Sequence, residues 1–519
     1  MSDPRLEAPR WTARPGPHDR RRMRLMLGVA LPLALFYFAW LLSPDRIGNP
    51  VLYAALVVAE LFNLVQAFGF WWTCSTQRGR PPLPRLDGGE PPEVDVLVPT
   101  YDEPAEVVEP TIAAAMRLRG ARANVHLLDD GDRPEMAALA ARHGARYVTR
   151  AQHLGAKAGN INHALALTSA PYVAVLDCDH VPDERFLDQT LGHLCDDRVA
   201  LVQTPQYYAN AREGRIASAA WGQQALFFGP IACGKDGQGA MFCCGTNAVF
   251  RRTALEQIGG FPQESVTEDF ELSVHLHERG WRTAYVPEVL ARGLGPEDMA
   301  SYVSQQQRWA RGCLSGISTA LRARLPLRIR VQYLLSSMFF LTGWTVLVYM
   351  AMPVIRIATG AQPIATAGGD AFLAHFAPYF GWALLAVARA GTGTYTFNAF
   401  ALQTASFWIH IQATLFAVAG RRGRFVVTPK RGEQKRQLRP IWPALAMLAA
   451  LIVAASYGLA HSHSPATLNN VAFAALHITV LLAGVWGALV PGAPAPEAAA
   501  AGPGARERAM AEQLEGVPV

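Results

Sequence analysis

Acidic side chains recur in this chain at the ends of apolar runs, where they could bind a cation or move a proton. Asp129-Asp130-Gly131-Asp132 follows Val125–Leu128, and Asp177-Cys178-Asp179-His180 follows Tyr172–Leu176. An Asp-x-Asp in that place suits a divalent ion shared with a diphosphate. One or two carboxylates hold the ion while substrate oxygens and water complete its shell, and the ion neutralises charge developing on the leaving diphosphate. Alone, an Asp-x-Asp also reads as a solvated turn, and His180 as a structural histidine; the position after a buried strand argues for ligands. Lys157, in Lys157-Ala158-Gly159-Asn160-Ile161-Asn162, precedes a glycine-bearing helix start and could meet phosphate or lie on the surface. Thr267-Glu268-Asp269 follows the turn-rich Gly259-Gly260-Phe261-Pro262. Asp269 is either a general base or a first-turn acid in a helix capped by Thr267. Gln305-Gln306-Gln307-Arg308-Trp309 lies on a helical stretch. There Arg308 could pair with phosphate and Trp309 stack on a sugar, or the tryptophan could mark an amphipathic helix at a membrane surface.

The elements that must position these residues alternate short β-branched runs with helical patterns. Val94–Val98, Val125–Leu128, Tyr147–Thr149, Tyr172–Leu176 and Ala200–Gln203 read as strands, with helices such as Ala105–Leu118 and Pro134–His143 between them. Such alternation predicts an α/β domain with a mainly parallel sheet and helices on both faces. Ligands of such domains bind beyond the carboxyl ends of the strands. Acids gathered there repel one another, and a divalent cation is an economical compensation.

Around this domain the composition is too apolar for an ordinary soluble chain: 51% of the 519 residues are hydrophobic and 17% charged. The 47 basic residues against 41 acidic ones cluster beside apolar runs, a positive-inside pattern and not a nucleic-acid footprint. Apolar runs cover Met26–Leu42, Val51–Trp72, Tyr333–Val354, Phe372–Val387, Phe397–Val418, Ile441–Leu459 and Val471–Val490. Basic residues preceding the first run suggest a signal peptide, but no small-residue cleavage site follows, so a pair of spanning helices is expected. The domain at 91–320 and the basic stretch 421–439 should lie on one side, so an even number of crossings separates them. Three runs lie between, and Phe397–Val418, bearing Asn398, Gln403, Thr404, His410 and Gln412, is the expected interfacial helix. The expected plan is a cytoplasmic basic segment 1–24, two spans in 25–73, the catalytic domain at 91–320, further helices in 331–490 and a disordered tail 491–519. The seven cysteines contain no C-x-x-C pair and read as reduced thiols.

Taken in order, Asp129-Asp130, Asp177-x-Asp179, Thr267-Glu268-Asp269 and Gln305-x-x-Arg308-Trp309 resemble the processive family 2 glycosyltransferases: cellulose, chitin and hyaluronan synthases. The resemblance covers roughly Glu93 to Gly312. Bacterial cellulose synthase catalytic subunits are the most similar of these. Val98-Pro99-Thr100-Tyr101-Asp102-Glu103-Pro104, Ala156-Lys157-Ala158-Gly159-Asn160, Gln203-Thr204-Pro205-Gln206 and Phe242-Cys243-Cys244-Gly245-Thr246 echo their pattern. Phe425-x-Val427-Thr428-x-Lys430 resembles their gating loop.

The resemblance implies a GT-A-type domain between transmembrane segments of the inner (plasma) membrane, with the domain in the cytoplasm. It implies that Thr100, Tyr101, Glu103 and Asp129 hold uridine, with Asp130 and Lys157 toward the diphosphate. Asp177 and Asp179, aided by His180, would bind Mg²⁺ or Mn²⁺. Asp269, within Thr267-Glu268-Asp269, would be the base. Gln305 and Arg308 would place the diphosphate, Trp309 would hold the acceptor sugar, and Cys244, Gly245 and Thr246 would line the acceptor site. Phe425, Val427, Thr428 and Lys430 would close over the nucleotide. The implied activity is processive, inverting polymerisation of UDP-glucose into a β-glucan extruded through the membrane, with a growing polysaccharide as acceptor and accessory synthase subunits as partners. Curdlan-type or mixed-linkage glucan, chitin, hyaluronan and glycolipid synthesis are the alternatives. Two departures stand against the pattern. Asp102 replaces a common asparagine. The 29 residues after the last apolar run hold no Arg-x-x-x-Arg signature of a cyclic-di-GMP-binding barrel. A transporter would carry ionisable groups within its spans, and a glycosidase needs two carboxylates flanking the scissile bond, so both readings fit less well.

Overall fold

A computed structural model describes residues 17–84, 89–265, 267–365, 369–391, 395–420 and 437–490. Phe425, Val427, Thr428 and Lys430, and the tail from 491, lie outside the described residues. Among the described residues there are ten strands: β1 (Glu93–Thr100), β2 (Arg122–Asp129), β3 (Arg146–Val148), β4 (Tyr172–Val175), β5 (Val181–Pro182), β6 (Val199–Gln203), β7 (Tyr207–Tyr208), β8 (Ala248–Arg251), β9 (Arg282–Tyr285) and β10 (Ala291–Gly293). Seven form a sheet in the order β3-β2-β1-β4-β8-β6-β9, and β5-β10-β7 form a small second sheet. All pairings in the large sheet are parallel except those of β8, which runs against both β4 and β6. Sequence patterning predicts five of these strands. It does not find β8 or β9, four residues each.

Alternation within the strands divides two cores. Val94, Val96 and Val98 of β1 enter one cluster with Val108 and Ile112 of the Ala105–Ala115 helix and Met136 and Leu139 of the Pro134–His143 helix. Leu97, with Val173 and Val175 of β4, enters the opposite cluster with Ala158, Ile161 and Ala164 of the Ala156–Leu167 helix and Leu272 and Leu276 of the Glu268–Glu278 helix. Successive strand side chains point to opposite faces, so a strand covered on both sides must be apolar at nearly every position. β1 fits, with every residue after Glu93 buried. Because β1, β2 and β4 are parallel, Thr100, Asp129 and the Asp177–His180 turn emerge at the same edge.

Among the described residues, six helices are long and apolar enough to cross a membrane: Asp19–Leu41, Pro50–Cys74, Leu327–Thr359, Asp370–Ala390, Arg439–His461 and Pro465–Leu489. The first helix begins at Pro17, so Arg20–Arg24 are helical. The expected interfacial helix 397–418 divides at Ser406 into Phe397–Ala405 and Phe407–Val418. At 1.5 Å per residue the second piece reaches only about 18 Å, short of a bilayer core of about 30 Å. It packs against the Met299–Arg322 helix of the catalytic domain, while Phe397–Ala405 packs on the Pro465–Leu489 helix.

Candidate active site

A cavity of about 640 Å³ opens at the carboxyl edge of the sheet. Its wall includes Thr100, Tyr101, Glu103, Asp130, Lys157, Asp177, Asp179, His180, Cys244, Gly245, Thr267, Glu268, Asp269, Gln305, Arg308 and Trp309. These are predicted residues, drawn from seven separate stretches of chain.

Two predicted residues are behind the wall. Asp129 is fully buried, its carboxylate accepting from Gly131 N (3.0 Å), Arg133 N (2.8 Å) and the Tyr147 hydroxyl (3.0 Å), with Arg133 Nη2 at 2.9 Å. Its acceptor capacity is spent within the protein, so it shapes the Thr100–Glu103 end of the cavity without facing it. Thr246 is also fully buried; its hydroxyl accepts from Asp177 N at 2.7 Å and so orients the Asp-x-Asp turn. It is a support for that turn and not a lining residue.

Two arginines outside the quoted motifs organise the Thr100–Glu103 end of the cavity. Arg133 donates to the Glu103 carbonyl (2.6 Å) and the Thr100 hydroxyl (3.0 Å) as well as to Asp129. Glu103 in turn accepts from the Thr100 hydroxyl (2.8 Å) and Tyr101 N (2.9 Å). Arg150 grips both oxygens of Asp130 at 2.6 and 2.7 Å and donates to the carbonyls of Leu154 (2.6 Å) and Ala156 (2.9 Å). A bidentate guanidinium–carboxylate pair is geometrically demanding. Here it sets the turn that delivers Lys157, in which Gly155 and Ala156 both adopt positive φ, 73° and 44°. Neither arginine lies in a motif quoted above, and their contacts reveal them.

Lys157 bonds Asp177 Oδ1, and its ammonium also donates to the Gly245 carbonyl at 2.8 Å. Burial pulls its pKa down, but Asp177, Glu268 and Asp269 outweigh burial and hold it above the ordinary lysine range. The ammonium is therefore a fixed positive charge between the Asp-x-Asp turn and Asp269. Ligand atoms of Asp177, Asp179 and His180 lie within 4.8 Å of one another. Two carboxylates and an imidazole suit Mn²⁺ or Mg²⁺ completed by phosphate oxygens and water. His180 Nδ1 stands 3.3 Å from Asp179 Oδ1, while its Nε2 is buried with no hydrogen-bond partner, as is Asn160 Oδ1 on the same wall. The Tyr208 hydroxyl oxygen and the Gln305 amide oxygen, also on this wall, are buried without a hydrogen-bond partner among the described residues. A wall with several unsatisfied polar atoms is built for a polar ligand.

Thr267 occupies the N-cap position of the Glu268–Glu278 helix and Asp269 lies in its first turn, but the Thr267 side chain makes no capping hydrogen bond. Burial pushes the Asp269 carboxyl up to about 7 and neighbouring Glu268 adds to this; the Phe270 N–H, Lys157 and Arg308 oppose it. A carboxyl that titrates near neutrality, facing a cavity with a diphosphate-type metal site, is what general-base chemistry requires.

This sheet, with Asp-x-Asp at the end of β4 and helices on both faces, is a GT-A-type glycosyltransferase fold set between apolar helices. Residues 172–417 match the family described as Glycosyl transferase family group 2, and the chain carries that family's domain. It is 34% identical over 499 residues to Cellulose synthase 1 of Komagataeibacter xylinus, an alignment covering 91% of this chain and 32% of that protein. It is 38% identical over 339 residues to the UDP-forming cellulose synthase catalytic subunit of Xanthomonas axonopodis pv. citri, covering 62% of this chain and 46% of that one. The chain thus spans about a third to a half of the length of these relatives. A solved structure, the mannosyltransferase PcManGT from Pyrobaculum calidifontis in complex with GDP-Man and Mn²⁺, is similar at 17% identity and a TM-score of 0.48, covering 76% of this chain and 99% of that chain.

Proposed function

We propose that this chain is a processive inverting glycosyltransferase that polymerises UDP-glucose into a cellulose-like β-glucan and extrudes it across the inner (plasma) membrane from a cytoplasmic catalytic domain. The observation that carries this reading is one cavity holding both the Asp177–Asp179–His180 cluster and the Asp269 carboxyl, with Lys157 between them. The similarity to cellulose synthases supports the product class.

In this reading Thr100, Tyr101 and Glu103 receive the uridine, and Gln305, Arg308 and Lys157 face the diphosphate. Asp177 and Asp179, with His180, would hold Mg²⁺ or Mn²⁺. The ion would supply charge stabilisation to the departing diphosphate. Trp309, Cys244 and Gly245 receive the acceptor sugar. Asp269 takes the proton of the acceptor hydroxyl as its oxygen attacks the anomeric carbon, and UDP leaves with the bonding electrons. A single displacement on an α-linked donor inverts the centre and yields a β-linkage. Phe425, Val427, Thr428 and Lys430 belong to the proposed loop over the nucleotide.

The test is product analysis. Lipid-reconstituted protein with Mg²⁺ is incubated with labelled UDP-glucose, UDP-N-acetylglucosamine or UDP-glucuronic acid, and the product is sized and digested with linkage-specific glucanases. A long polymer from UDP-glucose alone, cleaved by a β-1,4-glucanase, supports the proposal. A short lipid-soluble product, resistance to that glucanase or use of another donor overturns it.

A further inference from the structure

The Met299–Arg322 helix presents Gln305, Arg308 and Trp309 to the cavity, and Glu297 and Ser301 at its start form part of the same wall. First-turn N–H groups of a helix lack acceptors within the helix. Two of them are met here by side chains. Asp298 Oδ1 accepts from Ser301 N at 2.8 Å, an ordinary N-cap. Ala300 N instead donates to Gln437 Oε1 at 2.7 Å, a residue 137 positions away. The same Gln437 returns a bond through Nε2 to Asp298 Oδ2 at 2.9 Å. Both ends of one amide are therefore used on one helix terminus, and the Asp298 carboxylate is divided between its own cap and Gln437. On its backbone side Gln437 N donates to the Ala488 carbonyl, 3.2 Å away, in the last turn of the Pro465–Leu489 helix. Two residues later the chain enters the Arg439–His461 segment.

We propose that Gln437 is a positioning residue for the donor site. Its reciprocal amide clamp on Asp298 and Ala300 ties two membrane-length helices to the cavity wall and holds the helix that presents Gln305 and Arg308. A helix end fixed only by its own cap would be free to fray; the clamp stiffens the turn preceding Gln305. Its effect on turnover rests on the proposed function above.

The clamp has a direction that can be reversed. In Q437E a carboxylate oxygen faces Asp298, losing a donor and adding repulsion, while Ala300 N keeps an acceptor. D298N supplies the donor from the other side, and its amide oxygen still caps Ser301 N. The double variant Q437E/D298N should therefore rebuild both bonds. With the full chain in lipid, Mg²⁺ and UDP-glucose, Q437E should raise KM for UDP-glucose about tenfold with a smaller change in kcat. The double variant should return to within about threefold of wild type. Hydrogen exchange at amides 299–305 should rise in Q437E and fall back in the double variant, a readout that does not need turnover. A wild type that turns over no UDP-sugar would refute the functional reading and leave the exchange result to judge the clamp. Unchanged exchange in Q437E, or a double variant as impaired as Q437E, would overturn the inference.

Discussion

Asp269 owes its chemistry to its surroundings. A free aspartate is ionised well below neutrality and is a weak base; burial, with Glu268 adjacent, brings this one to about 7. Only the ionised form can accept a proton, so kcat/KM should climb about tenfold per pH unit below about 7 and level off above it. A profile flat between pH 5.5 and 8 would remove Asp269 as the titrating base. Replacing Asp269 with Asn should lower kcat by about a thousandfold or more while UDP binding, measured by calorimetry, changes little. Gly245 makes a neighbouring demand. Its φ of 87° disfavours other residues, and a Cβ there would stand 3.1 Å from Asp269 Oδ2. The glycine of Cys244-Gly245-Thr246 is thus legible in the sequence as a motif letter, but its reason, room for the base, is visible only in the fold.

Between elements, the decisive contact is a helix crossing. The Met299–Arg322 helix meets the start of the Glu268–Glu278 helix through two glycines one turn apart. A Cβ at Gly312 would lie 2.0 Å from Thr267 Cγ2, and one at Gly316 2.9 Å from the Phe270 ring. Removing both side chains lets the Gln305–Trp309 face and the Thr267–Asp269 turn share one cavity. Gly312→Ala should therefore force the helices apart and cut kcat/KM about tenfold or more, beyond its effect on thermal stability. Activity matching wild type would show that the crossing tolerates displacement. The sequence places Gln305–Trp309 on a helical stretch, but the partner of the Met299–Arg322 helix is chosen by packing between segments distant in sequence.

At the scale of the whole molecule, the catalytic domain is locked onto the membrane helices. The Ala232–Gln238 helix lies so close to the end of the Pro50–Cys74 helix that a Cβ at Gly234 would be 2.2 Å from the Thr73 carbonyl oxygen, and one at Gly237 1.7 Å from that of Thr76. Arg80 pairs with buried Asp236 at 2.9 Å, and Lys235 Nζ donates to the Gln332 carbonyl at 3.0 Å on the Leu327–Thr359 segment. Gly237→Val should lower stability in detergent by about 1–3 kcal/mol through overpacking and reduce polymer length along with it. Chelation should abolish transfer by the intact protein, with restoration by Mn²⁺ or Mg²⁺. Transfer that persists in chelator would remove the proposed metal role of Asp177 and Asp179.

The sequence by itself determined the two solvents this chain meets, the alternation that yields a doubly covered sheet, and the polar clusters at its carboxyl edge. Each follows from local periodicity, and motif order brought the family into view. Tertiary structure decided which of those residues share the cavity. Asp129 and Thr246 match motif positions as well as Asp130 and Gly245 do, yet their polar atoms are consumed inside the protein. Arg133 and Arg150 lie in none of the motifs quoted above, yet they fix Thr100, Glu103 and Asp130 around the cavity. The physical reason is that hydrogen-bond capacity is finite and shared among residues distant in sequence. What a side chain has left for a ligand is known only once its protein partners are in place.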